Sequence, residues 1–172
     1  VLPGARPVRL LRGRGSRGIG KGISHALAEA GARVVCTGRA EAPLEATVAA
    51  IRAAGGTALA GPQDITAPGA AQTIVARTLE AFGRLDIWVN NAGSADPADV
   101  GPLIDIDEGQ WDRVVDLNMK SVFFMTQKLL PLLRASASAA SPARVINIAS
   151  INGINPTFLE TYAYTSSKAG CI

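Results

Sequence analysis

Histidine is almost missing from this chain, cysteine and aromatic residues are scarce, and each shortage removes a class of chemistry. The 172 residues include one His, two Cys and 5% aromatic side chains. His25 lies in a helical pattern beside Ser24 and Ala26, where a surface or packing role is expected rather than catalysis. Cys36 falls in an apolar run that reads as a buried strand and Cys171 is next to the last residue, so neither a disulfide framework nor a metal-ligand cluster is expected. No apolar run approaches the ~18 residues of a membrane span. The basic, glycine-rich start also lacks the apolar segment of a signal peptide. These absences lead us to expect a cytoplasmic protein with no membrane partner. Charged residues are only 18%, and the net charge of +3 comes from scattered arginines without a basic run or interleaved aromatics. Nucleic acid is therefore not an expected partner.

What remains is a composition that can fold. Hydrophobic residues make up 48% of the chain, enough for the core of one domain over residues 1–172. Residues 1–7 carry no readable element, and Val8 to Leu11 is a short apolar run that fits a first strand. It leads into Gly13-Arg14-Gly15-Ser16-Arg17-Gly18-Ile19-Gly20 and then the helical pattern Lys21 to Ala30. A strand, a glycine-rich turn and a helix N-terminus make an anion site, because unpaired backbone N–H groups and the helix dipole both favour a phosphate. Gly31 closes that helix, and Ala32 to Thr37 reads as a second strand ending at Gly38-Arg39. In a dinucleotide-binding unit an acidic residue here selects the free ribose 2′-hydroxyl and an arginine accommodates a 2′-phosphate. Arg39 thus points to NADP, with Arg17 as a second cation near the same phosphate.

The alternation goes on. Glu41 to Ala54 reads as a helix and Thr57 to Ala60 as a third strand; Asp64 either caps the next helix or contacts adenine. A helix from Thr66 or Pro68 to Phe82 precedes a fourth strand, Leu85 to Val89, which runs into Asn90-Asn91-Ala92-Gly93. Two amides and two small residues at a strand's carboxyl end suit close approach of backbone to a ligand. Glu108 to Leu133 is periodic as one long helix, with Trp111, Val114, Val115, Leu117, Val122, Phe123 and Leu129 at apolar positions and Asn118 in its middle. A Ser/Ala-rich connector, Arg134 to Pro142, leads to a fifth strand, Ala143 to Ala149, with Ser150 at its end. Repeated strand–helix alternation with short turns predicts an α/β fold: a Rossmann-type doubly wound parallel sheet with helices on both faces.

The segment Tyr164-Thr165-Ser166-Ser167-Lys168 carries the acid–base chemistry. On a helix, residues four apart share a face. A phenol titrates near ~10, and a neighbouring ammonium must favour the phenolate by roughly 3–4 kcal/mol to bring it within ~2–3 units of neutrality. Tyr162 lies off the turn that Tyr164 shares with Lys168.

Together these residues resemble the short-chain dehydrogenase/reductase family, from about Val8 to Ile172. The glycine loop resembles the family's Thr-Gly-x-x-x-Gly-x-Gly, Asn90-Asn91-Ala92-Gly93 its Asn-Asn-Ala-Gly, and Tyr164 with Lys168 its Tyr-x-x-x-Lys. Asn118 and Ser150 fall where its other two catalytic residues are expected. The resemblance, nearest to members that reduce 3-oxoacyl groups or related ketones, implies hydride transfer between NADPH and a small-molecule carbonyl or alcohol. Tyr164 would be the acid/base, Lys168 would lower its pKa and bond the nicotinamide ribose, Ser150 would hold the reacting oxygen, and Asn118 would anchor a proton-relaying water. Gly13, Gly15, Ser16, Arg17, Gly18, Ile19, Gly20, Arg39, Asp64, Asn91, Ala92 and Gly93, with Tyr164 and Lys168, would hold the cofactor, without a metal. The family's members commonly form homo-oligomers.

Two departures from the family pattern stand out. Gly13 and Arg14 occupy the places of the threonine and first glycine, or else one residue has been inserted and Gly13 is the displaced glycine. The chain also stops four residues after Lys168. The family's sixth and seventh strands and its substrate-covering segment are therefore expected to be missing, leaving Arg144 to Ile148 as an open apolar edge. By itself such a chain is expected to be poorly soluble and inactive; the alternative to an enzyme is a truncated, non-catalytic dinucleotide-binding fragment.

Overall fold

The computed structural model describes residues 8–12, 18–94, 96, 100–155 and 160–172. Five parallel strands form one sheet in the order β3-β2-β1-β4-β5. They are β1 (Val8–Arg12), β2 (Arg33–Gly38), β3 (Thr57–Pro62), β4 (Ile87–Asn90) and β5 (Arg144–Asn147). The helices are α1 (Gly18–Glu29), α2 (Glu41–Ala53), α3 (Ala70–Phe82), α4 (Glu108–Val115), α5 (Ser121–Ser136) and α6 (Tyr162–Ala169). The strand order reverses at β1, which pairs with β2 on one side and β4 on the other; a sheet of this kind binds ligands beyond the carboxyl ends of its strands, at that switch point.

Alternation along the strands divides the core into two layers. Val34 and Cys36 of β2 face Leu44, Val48 and Ile51 of α2, whereas Val35 joins Trp88 of β4, Ile74 of α3 and Met125, Leu129 and Leu133 of α5 on the other side. Ile87 and Val89 of β4 return to the first side, against Ile23 and Leu27 of α1 and Ile148 after β5. The period of two therefore puts helices on both faces, each fully buried aliphatic side chain contributing roughly 1.5–3 kcal/mol. The Cys36 thiol donates to the Ser24 hydroxyl (3.4 Å), which donates to the Gly20 carbonyl (3.0 Å), tying the first turn of α1 to the sheet. Burial pushes that thiol above its ordinary pKa, so it stays a neutral donor.

Several boundaries differ from the sequence expectation. Helix α3 starts at Ala70, not at Thr66 or Pro68, because Gly69 takes a left-handed φ of 79° and turns the chain there. The single helix expected from Glu108 to Leu133 is broken at Asp116–Lys120 by a π turn in which the Ser121 N–H donates to the Asp116 carbonyl, five residues back. The wide turn adds a residue and shifts the helical phase. Trp111 and Phe123, read as apolar positions of one helix, are consequently 40% and 63% exposed, and Val114, Met125, Leu129 and Leu133 supply the buried face. The connector shortens because α5 continues to Ser136, and Ser138 bridges Ser141 beyond it. Strand β5 is an edge of the described sheet, with Val145 and Ile146 about two-fifths exposed (41% and 40%). No helix among the described residues is long and apolar enough to cross a membrane.

Glycine 56 separates packing from conformational need. A Cβ there would meet the Ile51 Cγ2 at 2.8 Å and the Ala28 Cβ at 3.2 Å, inside the first core layer. Gly56→Ala is expected to overpack that layer and cost about 1–3 kcal/mol in urea unfolding. Gly22→Ala, with open space around the new methyl, should stabilise α1 by roughly 0.5–1 kcal/mol. Equal effects of the two substitutions would contradict this packing.

Candidate active site

The carboxyl ends of the strands share one edge, so Arg39 after β2, Asn91 to Ser94 after β4, Ser150 after β5 and the start of α1 at Gly18 all fall on it. Register draws the two central strands together there. Asn90 pairs with Asn147, and its Nδ2 donates to the Asn147 Oδ1 (2.9 Å) and to the Thr126 hydroxyl of α5 (3.1 Å). Directly beyond, the Ile148 N–H donates to the Asn90 carbonyl (2.9 Å).

Asn118 sits in the π turn with no exposed surface. Its Oδ1 accepts from the Ser94 N–H (2.9 Å), and its Nδ2 donates to the Ser94 carbonyl (3.0 Å) and the Ser167 hydroxyl (3.1 Å). Ser167 passes the connection on by donating to the Tyr164 carbonyl (2.8 Å). A single carboxamide thus joins the loop after β4 to the helix that carries the tyrosine. This answers why an amide stands inside a helix: a buried amide with both N–H groups satisfied is tolerated where an unpaired one costs ~1–3 kcal/mol. The π turn leaves its mark on the backbone as well, since the Cys171 thiol donates to the Asn118 carbonyl (3.1 Å).

Helix α6 places Tyr164 half-buried and Lys168 buried, 5% exposed. The Lys168 ammonium donates to the Ile148 carbonyl (2.8 Å) and lies 5.8 Å from the centre of the Tyr164 ring. Taking an ammonium out of water is costly unless acceptors replace the water, so this carbonyl fixes where the charge can sit. Ser150 caps a 3-10 turn, Ile151–Gly153, its Oγ accepting from the Asn152 N–H (3.3 Å), which leaves its O–H hydrogen free to donate elsewhere. Tyr162, one turn edge away, is exposed.

Two observations fit a dinucleotide. Gly93 has no room for a side chain: a Cβ there would be 3.2 Å from both the Asn118 Oδ1 and the Lys168 Nζ. The backbone is therefore bare beside the two polar groups. Helix α1 begins at Gly18, φ 54°, with no acidic residue in its first turn, which leaves a positive helix end facing the switch point. Gly13, Gly15, Ser16 and Arg17 lie outside the described residues; Gly18 and Ile19 are exposed and Gly20 is buried. Arg39 is exposed and acts on Asp64. Asp64 does not cap a helix, because its Oδ1 accepts from the Thr66 N–H (2.9 Å) and hydroxyl (2.7 Å) in a local turn and α3 begins beyond it. The Thr66 N–H first, and then the hydroxyl and Arg39, hold its carboxyl below the ordinary range.

Sequence reading named Asn118, Ser150, Tyr164 and Lys168 but passed over Ser94, Ser167 and the Ile148 carbonyl that hold them. Ser167 alone left a signal, three residues after Tyr164 on the same helix face.

The model of the short chain dehydrogenase family matches residues 13–172. The chain belongs to the short-chain dehydrogenase family. Among its relatives, the rhamnolipid-biosynthesis 3-oxoacyl-(acyl-carrier-protein) reductase of Pseudomonas aeruginosa is 46% identical over 156 residues, covering 90% of this chain and 59% of the relative. A 3-oxoacyl-(acyl-carrier-protein) reductase of Synechocystis is 34% identical over 160 residues, 91% of this chain and 61% of the relative. A solved Pseudomonas aeruginosa RhlG/NADP active-site complex superposes with a TM-score of 0.82 at 41% identity, covering 96% of this chain and 62% of that one. An actinorhodin polyketide ketoreductase solved with NADPH gives 0.86 at 29% identity, covering 96% and 60%. The chain spans less than two thirds of the length of each of these family members.

The Asn118 carboxamide carries three buried hydrogen bonds, so Asn118→Ala should destabilise the fold by roughly 2–4 kcal/mol in urea unfolding. A change below about 0.5 kcal/mol, the range of an ordinary surface substitution, would contradict the clamp.

Proposed function

We propose that the protein is an NADP-dependent oxidoreductase acting on a carbonyl or alcohol, with Tyr164 as acid/base. The observation that carries this reading is the convergence of Tyr164, Lys168, Asn118 and the turn after Ser150 beyond the carboxyl ends of β4 and β5. When bound, the nicotinamide supplies or accepts the hydride. The Tyr164 hydroxyl gives a proton to the substrate oxygen, or takes one from the alcohol. Lys168, a buried cation near the Tyr164 ring, favours the phenolate and reaches the cofactor's ribose. The free O–H of Ser150 holds the reacting oxygen beside the phenol, so positioning and polarisation come from one group.

Asn118 has both N–H groups committed, and its proton-relay role therefore falls to the spare lone pair on Oδ1. That atom and the Lys168 Nζ both border Gly93, where a bridging water would join them. The start of α1, with Gly18, Ile19 and Gly20 and the preceding Gly13, Gly15, Ser16 and Arg17, holds the pyrophosphate. Arg39 takes the 2′-phosphate, Asp64 and its turn border the adenine, and Asn91, Ala92 and Gly93 lie along the nicotinamide side. The relatives named for 3-oxoacyl reduction support a 3-oxoacyl thioester or related ketone as substrate. Exposed Trp111, Phe123, Phe124 and Leu130 on α4 and α5 support a homo-oligomer, and the site of action is the cytoplasm.

The test is steady-state kinetics of the complete protein with both cofactors. NADPH should give the higher kcat/KM, and Arg39→Asp should reverse the preference because a carboxylate repels the 2′-phosphate. Tyr164→Phe should lower kcat by about 10²-fold or more with little change in NADPH binding, while Tyr162→Phe changes little. An NADH preference refutes the cofactor, and near-wild-type turnover in Tyr164→Phe refutes the acid/base.

A further inference from the structure

Gly153 ends the 3-10 turn that follows Ser150, and nothing about its backbone angle calls for glycine. It is not among the residues with a left-handed φ, so an alanine would adopt the same conformation. Space is what excludes a side chain. A Cβ at Gly153 would lie 2.8 Å from the Ala169 N, 2.8 Å from the Lys168 C and 2.9 Å from the Lys168 O. All three are backbone atoms of α6, and a backbone cannot rotate away as a side-chain tip can. Gly170, by contrast, would press its Cβ on the Met119 side chain, which has rotamers to yield. The same short segment that presents Ser150 therefore lies backbone against backbone on the last turn of α6, at Lys168 itself. Five residues earlier, the Ile148 carbonyl holds the Lys168 ammonium at 2.8 Å.

We infer that Gly153 is a positioning residue for the acid/base pair: its missing side chain lets the Ser150 turn dock on α6 and sets Ser150, Tyr164 and Lys168 in register with one another. This inference rests on the functional reading above. A methyl at 153 must drive the turn and the helix apart by several tenths of an ångström, because ordinary contacts begin near 3.4 Å. That motion separates the Lys168 ammonium from the Ile148 carbonyl and the Ser150 hydroxyl from the phenol at the same time. Misplacement on the ångström scale costs about 10²-fold in turnover when reacting groups are involved.

The experiment uses Gly153→Ala in the complete protein, with Gly22→Ala as the reference glycine substitution. Three quantities are read: kcat and KM, the solvent deuterium isotope effect on kcat, and amide hydrogen exchange over residues 162–169 without cofactor. We expect kcat to fall by about 10²-fold with KM and the NADPH dissociation constant changing far less. The isotope effect should rise as proton transfer becomes slower than the other steps, and exchange at Lys168 and Ala169 should accelerate. Wild-type turnover and exchange would overturn the inference, as would a loss of kcat with an unchanged isotope effect, which marks only a smaller folded fraction. If Gly153→Ala does not fold, the same readings are made with Met119→Ala added, which frees space against Gly170 for the end of α6 to yield. A double variant that still does not fold overturns the inference, since the contact then serves the whole fold. Active Tyr164→Phe together with accelerated exchange in Gly153→Ala would refute the functional reading while leaving the docking contact standing.

Discussion

A primary amide with no access to water must find partners for two donors and an acceptor, and in this chain those of Asn118 hold the site together. Its partners are the Ser94 backbone on one side and Ser167 on the other, with Tyr164 one further hydrogen bond away. Without the π turn the carboxamide would ride a regular helix and point elsewhere, since one added residue rotates all that follows by about 100°. The costs of the turn, a strained ladder and an extra carbonyl to satisfy, are met locally by Ser121 and Cys171. Irregular backbone and buried polar network therefore come as one unit.

The second constraint is the Lys168 charge. A buried ammonium is unfavourable unless bonded, and its acceptor is the carbonyl of Ile148, a backbone atom positioned by the sheet. The sheet, through β5, thereby fixes the side chain proposed to govern the tyrosine. Backbone contact at Gly153 adds a steric stop at the same residue. Local helix strength contributes little to this placement, because eight residues are too few for an independent helix.

Much of this was legible in the sequence, for stated physical reasons. Strand order followed from alternating apolar runs and short turns, and Tyr164 with Lys168 followed from helical spacing. Asn118 stood out as an amide where amides are unfavourable. Other features were not legible. A period of 3.6 cannot register a five-residue hydrogen bond, so the π turn was missed and Trp111 and Phe123 were read as core although both are exposed. Asp64 looked like a helix cap because Asp is a preferred cap, but the nearby Thr66 N–H and hydroxyl captured its carboxylate first. The Ser94, Ser167 and Ile148 contacts join segments far apart in the chain, and spacing rules carry no information about such pairs. Gly153 was silent for a different reason: glycine usually announces a turn angle, whereas here it answers to a neighbouring helix.

The central claim is that Asn118 and Ser167 act as one connection between the loop after β4 and the helix bearing Tyr164. A double-mutant cycle measures it directly: Asn118→Ala, Ser167→Ala and the double variant, compared by urea unfolding of the complete protein. The account predicts a coupling energy of about 0.5–3 kcal/mol, the range found for residues in one buried hydrogen-bond network. Additive effects, within about 0.3 kcal/mol, would show that the two side chains stabilise their own segments independently and would contradict it.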